Sequence, residues 1–228
     1  MRPPTYPPCS FIVPYSLLEK RIIMKNNNFA EQKIIAEFNS VDISVKLGRL
    51  AIEPTDSNVA SLEYTRTDNY SFVAEINNDT LSIKSVDSRG LFERIFFHIP
   101  KVILHLPKKE YDALSVHLMT GKLEVNDISV KTLDIRNVTT KVWLTDTVLN
   151  ECATVAVTTG KVCVTDMKCR RLEIRTGCGS VALDGVFADE RIDVKSTTGS
   201  ISLNNSNAPK CSFRATTGRI KGKLNSFD

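Results

Sequence analysis

Aromatic side chains are scarce: they make up 7% of the 228 residues, and Trp143 is the only tryptophan. The apolar material is mostly Val, Ile and Leu, interleaved with Thr, a mixture that favours strands. Six cysteines are present (Cys9, Cys152, Cys163, Cys169, Cys178 and Cys211), but none forms a Cys-x-x-Cys pair, so the usual spacing of a zinc site is missing. The three histidines, His98, His105 and His117, lie apart in sequence. No cofactor, no metal and no catalytic set is expected. The segment from Phe11 to Leu18 is too short for a membrane span, is broken by Pro14 and lacks a small-residue cleavage site. With neither span nor leader, the thiols read as reduced and the location as cytoplasmic, any contact with the envelope being made through a partner. A net charge of +4 gives no reason to expect nucleic acid, which would call for a concentrated basic face.

Residues 1–28 read as a disordered or spurious N-terminal extension. Pro3, Pro4, Pro7, Pro8 and Pro14 crowd its start, and Met24 fits as the natural first residue. Beyond it the chain is long enough for a real buried core, and its apolar fraction of 42% is that of an ordinary globular protein.

A repeat dominates the remainder. Gly121, Gly160, Gly179, Gly199 and Gly218 sit in near-identical settings, such as Thr-Thr-Gly-Lys-Val and Thr-Thr-Gly-Ser-Ile, and Thr140 takes the glycine place in one copy. Successive steps are 19, 20, 19, 20 and 19 residues. Apolar residues keep register with this turn residue at four offsets. Leu114, Leu133, Ala153, Leu172, Ile192 and Cys211 lie seven before it; Val116, Ile135, Val155, Ile174, Val194 and Phe213 lie five before. Leu123, Val142, Val162, Val181, Ile201 and Ile220 lie two after; Val125, Leu144, Val164, Leu183 and Leu203 lie four after. The alternation has period two on both sides of the turn, which means strand, bend, strand. A meander would not need the same bend in every copy. A stack of parallel coils does, because equivalent residues then lie on one another about 4.8 Å apart.

The predicted architecture is all-β: a single-domain parallel β-solenoid, a β-helix with 19–20-residue coils and an expected right-handed course. Residues 114–228 form the regular coils. Residues 29–113 form an N-terminal cap and irregular coils, continuous with them. Val41, Ile43, Gly48, Leu50 and Ile52 repeat the offsets of the regular part; Leu81 and Ile83 fit a further coil with Asp79 near its turn. Val102, Leu104 and Leu106 form an alternating strand before Pro107, residues 29–38 a short helix or strand, and longer loops fall at 54–58 and 85–99. The last coil looks uncapped, with Gly222 where an aliphatic belongs, so end-to-end self-association through it is an expectation.

The recurring Thr-Thr-Gly-Lys-Val-x-Val and Ser-Thr-Thr-Gly-Ser-Ile-x-Leu motifs, with Gly-x-Leu-x-Ile-Glu-Pro from Gly48 to Pro54 and Leu-His-Leu-Pro from Leu104 to Pro107, resemble a bacterial β-solenoid family labelled "putative adhesin". The likeness spans about residues 36–225. It implies a β-helix with one sheet per face and no catalytic residues to carry over. The label reflects repeat architecture. Many relatives carry a membrane helix or lie beside genes for envelope stress and regulation.

Several outward ladders follow from the repeat. One residue after the turn come Lys122, Lys141 and Lys161, then Ser180, Ser200 and Arg219; four before it come His117, Arg136, Ala156, Arg175, Lys195 and Arg214. Asp134, Glu173 and Asp193 lie beside the second row, which therefore reads as a solvated, paired face. The candidate ligand face comprises Lys122, Lys141, Lys161, Arg136, Arg175, Lys195 and Arg214, with Trp143 as an outward aromatic able to stack on a sugar. Its expected partner is a protein or an anionic envelope polymer, not nucleic acid, because the rows lack interleaved aromatics. Asp127, Asp146 and Asp166 recur six after the turn and read as strand-ending turn residues in preference to a calcium site. Thr120, Thr139, Thr159, Thr198 and Thr217 form a hydroxyl ladder beside the bend, the wrong place for ice binding. The function expected is a non-enzymatic scaffold; the alternative is a polysaccharide-acting β-helix lyase or hydrolase, whose chemistry would need a break in the repeat.

Overall fold

The computed structural model describes residues 22–26, 29–65, 70–87 and 99–224, and among them every regular element is a strand. His98 and Cys9 lie outside the described residues, as does most of the predicted 85–99 loop. Of the segment 1–28, the structure describes 22–26, which forms β1 (Ile22–Asn26).

The regular coils are built from β8 (Glu110–Asn126), β9 (Ser129–Thr145), β10 (Val148–Thr159), β11 (Val162–Thr165), β12 (Lys168–Cys178), β13 (Val181–Asp184), β14 (Phe187–Thr198), β15 (Ile201–Ser206), β16 (Lys210–Thr217) and β17 (Ile220–Leu224). All neighbours in this stack are parallel, and the register matches the repeat residue for residue. Val116 lies on Ile135, Val155 on Ile174 and Ile174 on Val194; Val142 lies on Val162 and Val162 on Val181. The aliphatic rows at all four offsets are buried through most of the stack, each fully buried side chain contributing about 1.5–3 kcal/mol before entropy. Burial weakens in the last coil, where Phe213 and Cys211 are half-buried and Ile220 is 44% exposed.

Three further rows face inward that the apolar pattern did not reveal. Three residues before the turn are Leu118, Asn137, Val157, Thr176 and Ser196; seven after it are Ile128, Thr147, Met167, Val186 and Ser206. A third row, nine after, holds Val130, Leu149, Cys169, Ala188 and Ala208. Two of these rows mix polar with apolar residues, so hydropathy alone conceals them. Some polar members find local partners: Asn137 Oδ1 accepts from Leu118 N at 2.8 Å, and Ser206 Oγ accepts from Val186 N at 3.2 Å while donating to Asn204 O at 2.8 Å, whereas Thr176 Oγ1 and Asn137 Nδ2 have none. The corner six residues after the turn is left-handed: Asp127, Asp146 and Asp166 all have φ 50°, and Gly185 takes the same rung at φ 65°. Asp tolerates this conformation better than most side chains. The acidic ladder is thus a row of corners.

The other end differs from a simple continuation. Strand β3 (Ser40–Thr55) lies directly on β8, with Val41 on Leu114, Gly48 on Gly121 and Ile52 on Val125. Strands β6 (Thr80–Asp87) and β7 (Lys101–Pro107) then lie on the far face of β3, with Leu81 on Val41 and Leu104 on Ile52. The spatial order of coils is therefore not the chain order. Antiparallel strands close this end. Strand β2 (Phe29–Ile34) pairs with β4 (Ala60–Thr65), which pairs with β7, while β5 (Tyr70–Asn77) pairs with β6 through a two-residue turn at Asn78 and Asp79, both with positive φ. Asp79 thus sits at a hairpin rather than a coil bend. Strand β1 pairs with β2, Met24 opposite Ala30. Most of the described aromatics gather here: Tyr64 and Tyr70 pack on Phe72 with centroids 5.1 and 5.3 Å apart, and Phe38 stacks on Tyr111 at 6.0 Å.

Candidate functional site

The bend at each turn residue creates two outward walls. Residues one and three places after it project from β3, β8, β9, β11 and their successors; residues four before it project from β10, β12, β14 and their neighbours. The eight predicted ligand-face residues accordingly divide. Lys122, Lys141 and Trp143 line one open groove of about 850 Å³. Arg136 and Arg175 line a separate depression with His117 on the other wall, where Lys195 and Arg214 continue the row, Arg175 opposite Lys195 and Lys195 opposite Arg214.

The second wall is paired in part by its flanking acids. Arg136 Nη2 lies 3.0 Å from Asp134 Oδ2 and Arg175 Nη2 2.5 Å from Glu173 Oε1. Asp193 pairs with Arg191 and not with Lys195. These contacts join residues two apart on one strand and leave both arginines more than 60% exposed, so each contributes little to stability.

The first wall is more strongly cationic than the repeat alone predicts. Because β7 lies on β3 and β3 on β8, Lys101 stands beside Arg49, Arg49 beside Lys122, and Lys122 beside Lys141. Lys161 follows, immediately before Val162, the partner of Val142. Five cations thus occupy consecutive rungs, a row roughly 19 Å long at the usual strand spacing. Arg49 was legible, since it follows Gly48 at the same offset; Lys101 has no turn residue before it, and only strand pairing brings it into line. Among the described residues the one ion pair within the row is between Lys122 Nζ and Glu124 Oε1, at 2.5 Å.

Two places after the cations runs a second outward row: Ala51, Glu124, Trp143 and Cys163 on adjacent strands. The indole is half-buried, and Lys122 Nζ lies 4.5 Å from its ring centroid, a cation-π contact. Ile99, 42% exposed, adds apolar surface at the groove's edge. On the bend side the groove is bounded by the threonine ladder, in which Thr120 lies beside Thr139 and Thr139 beside Thr159. Thr140, 2% exposed and occupying the glycine rung, also lines the groove, and its Oγ1 has no hydrogen-bond partner.

Catalytic material is sparse. His105 lies 3.7 Å from Glu63 at the irregular end, and His117 is on the other wall. No group of three His, Cys, Asp or Glu suited to a metal ion occurs among the described residues. The five described cysteines are free thiols. Cys169 is buried, and that burial, with the nearby Asp189 and Cys152 adding to it, pushes its pKa up to about 12.

Fold and groove together define a parallel β-solenoid scaffold with a cationic face. The chain belongs to the Toastrack DUF4097 family, whose model matches residues 38–227. Its fold is similar to that of a Bacteroides fragilis protein described as a putative adhesin, at 16% identity and TM-score 0.54, over 87% of this chain and 98% of that one. Looser likenesses link it to a putative cell adhesion protein from Clostridium sporogenes (14% identity, TM-score 0.41, 86% and 99% covered) and a putative lipid binding protein from Parabacteroides distasonis (14%, 0.40, 86% and 98%). These proteins are described by adhesion or binding, not by enzyme activity. No curated protein matches the chain. No helix among the described residues is long and apolar enough to cross a membrane.

Proposed function

We propose that this protein is a non-enzymatic binding scaffold that holds an extended anionic polymer, of the kind found in bacterial envelopes, along the row Lys101, Arg49, Lys122, Lys141 and Lys161. The observation carrying this reading is that row itself. Neighbouring cations about 4.8 Å apart in water repel by about 1 kcal/mol per pair. The second wall relieves this at Arg136 and Arg175 with acids in their own strands, whereas among the described residues the first wall has one ion pair, Lys122 with Glu124. An anion lying across the rungs relieves it instead. The polymer axis then runs across the strands, parallel to the solenoid axis, and contacts strengthen with each rung engaged. An adhesive role such as the Bacteroides fragilis protein is named for is part of this proposal, and it rests on the groove, not on the shared fold.

The test is binding to polyanions of defined length by calorimetry, at several salt concentrations. The double variant Lys122→Glu/Lys141→Glu should lose at least tenfold in affinity, while Arg136→Glu/Arg175→Glu on the other wall should change it less than twofold. Wild-type affinity should fall steeply with salt. Equal losses in the two variants would remove the groove from the reading, and salt-insensitive binding would remove charge from it.

A protein partner is the second reading, and one observation favours it: β16 and β17 form an exposed edge, with Ile220 and Leu224 nearly half exposed. That edge carries Lys210, Arg214, Arg219, Lys221 and Lys223 with no acid between 207 and 224. Two copies meeting end to end there would bring like charges together, so the edge suits an acidic partner better than another copy.

A further inference from the structure

We infer that the polymer is an acidic polysaccharide, with Trp143 as the platform for one sugar ring and Lys122 as a movable cover over that platform. The inference rests on the proposed polyanion groove and adds what its apolar floor is for. A purely ionic chain such as polyphosphate needs cations alone. Yet the groove sets Trp143, Ile99 and Ala51 among Arg49, Lys101, Lys122 and Lys141. A pyranose ring that bears a carboxylate has both chemistries. Its C–H face is weakly positive and lies against the negative face of an indole, while its carboxylate reaches the basic rim.

The free protein shows how the platform is kept. Lys122 Nζ covers the indole at 4.5 Å from the centroid and is tethered to Glu124 at 2.5 Å. Both partners of that ion pair are 37% exposed, so the tether is weak and exchanges readily for a ligand carboxylate. Moving the ammonium a few ångströms onto a ligand anion uncovers the ring. The concave shape of the site and its isolated aromatic do not resemble a protruding membrane anchor.

Trp143 is the only tryptophan in the chain, so intrinsic fluorescence reports this one position. Wild-type protein is titrated with polygalacturonate, with inorganic polyphosphate of similar length, with neutral dextran and with phosphatidylglycerol vesicles, by fluorescence and calorimetry. Polygalacturonate should change the emission and bind; dextran should not bind. In calorimetry, Trp143→Ala should weaken polygalacturonate binding at least tenfold, leave polyphosphate binding within twofold, and leave the thermal midpoint near wild type, because the indole lies outside the core. Trp143→Phe should restore much of the loss. If Trp143→Ala affects both polymers equally or neither, the sugar platform is refuted and the polyanion reading stands. If neither polymer binds, both fall. Binding to vesicles with a blue-shifted emission, in place of polygalacturonate, would overturn the inference in favour of a lipid surface.

Discussion

Replacing Gly179 by Ala tests the stacking logic at its tightest point. Gly179 has φ 154°, and a Cβ there would lie 2.6 Å from the carbonyl carbon of Gly160 in the next coil and nearer still to its oxygen. Ordinary contact begins at 3.4 Å, and the oxygen lies closer than the carbon, so the coils must part by well over 0.8 Å or the rung must rotate. The adjoining hydrogen bonds, Gly160 N to Cys178 O at 2.9 Å and Gly179 N to Thr198 O at 2.8 Å, then stretch out of range. Losing one or two costs about 0.5–1.5 kcal/mol each, and the strained φ adds about 1–2 kcal/mol. The sum is about 3 kcal/mol, which for a chain of this size lowers the thermal midpoint by on the order of 10 °C. Gly48→Ala is the control. Gly48 has no positive φ, and its nearest neighbour would be the Val45 side chain at 3.3 Å, so the loss should stay under about 1 kcal/mol. Urea unfolding of the two variants and wild type decides the matter. If Gly179→Ala is no less stable than Gly48→Ala, the recurring glycine is not a steric requirement of coil stacking.

Asn137→Ala should lower stability by about 1–3 kcal/mol in urea unfolding, because it leaves the buried Leu118 N–H without its acceptor. Thr140→Val removes a buried, unpartnered hydroxyl and should raise the unfolding free energy measured in urea by about 1 kcal/mol. Asp146→Gly should be near neutral and Asp146→Val should cost about 1–2 kcal/mol, since the corner at φ 50° suits glycine and penalises a branched side chain. In native protein at pH 8, exposed Cys178 should react with iodoacetamide and buried Cys169 should not, as mass spectrometry of the peptides will show. The raised pKa of Cys169 also sets a sign. The folded state holds this proton more tightly, so its contribution is fully present below the ordinary thiol value of 9.0. It is lost as pH rises towards about 12, and alkaline unfolding should ease correspondingly in wild type relative to Cys169→Ala.

Much of this architecture is legible in the amino-acid sequence. A bend residue recurring every 19 or 20 positions, with aliphatics locked to it at four offsets, admits few structures besides stacked parallel coils. The threonine and aspartate ladders came out in register for the same reason, because stacking copies one rung's chemistry onto the next. Burial of Asn137, Thr147, Thr176 and Ser206 was not legible. Polar residues alternate with apolar ones in those inward rows, and their suitability depends on partners one coil away, such as Leu118 N or Val186 N.

The sequence by itself determined the coil, its length, four of its core rows and the outward direction of Lys122, Lys141 and Trp143, because all of these follow from local alternation and a local bend. Only the tertiary structure decided that the two basic rows lie on different walls, since offsets four before and one after a turn look alike until the bend separates them. Only the tertiary structure inserted β3 between β7 and β8. That insertion is a pairing between distant segments, which no local pattern encodes. It places Lys101 and Arg49 in line with the lysines of the repeat, making a row of three into a row of five.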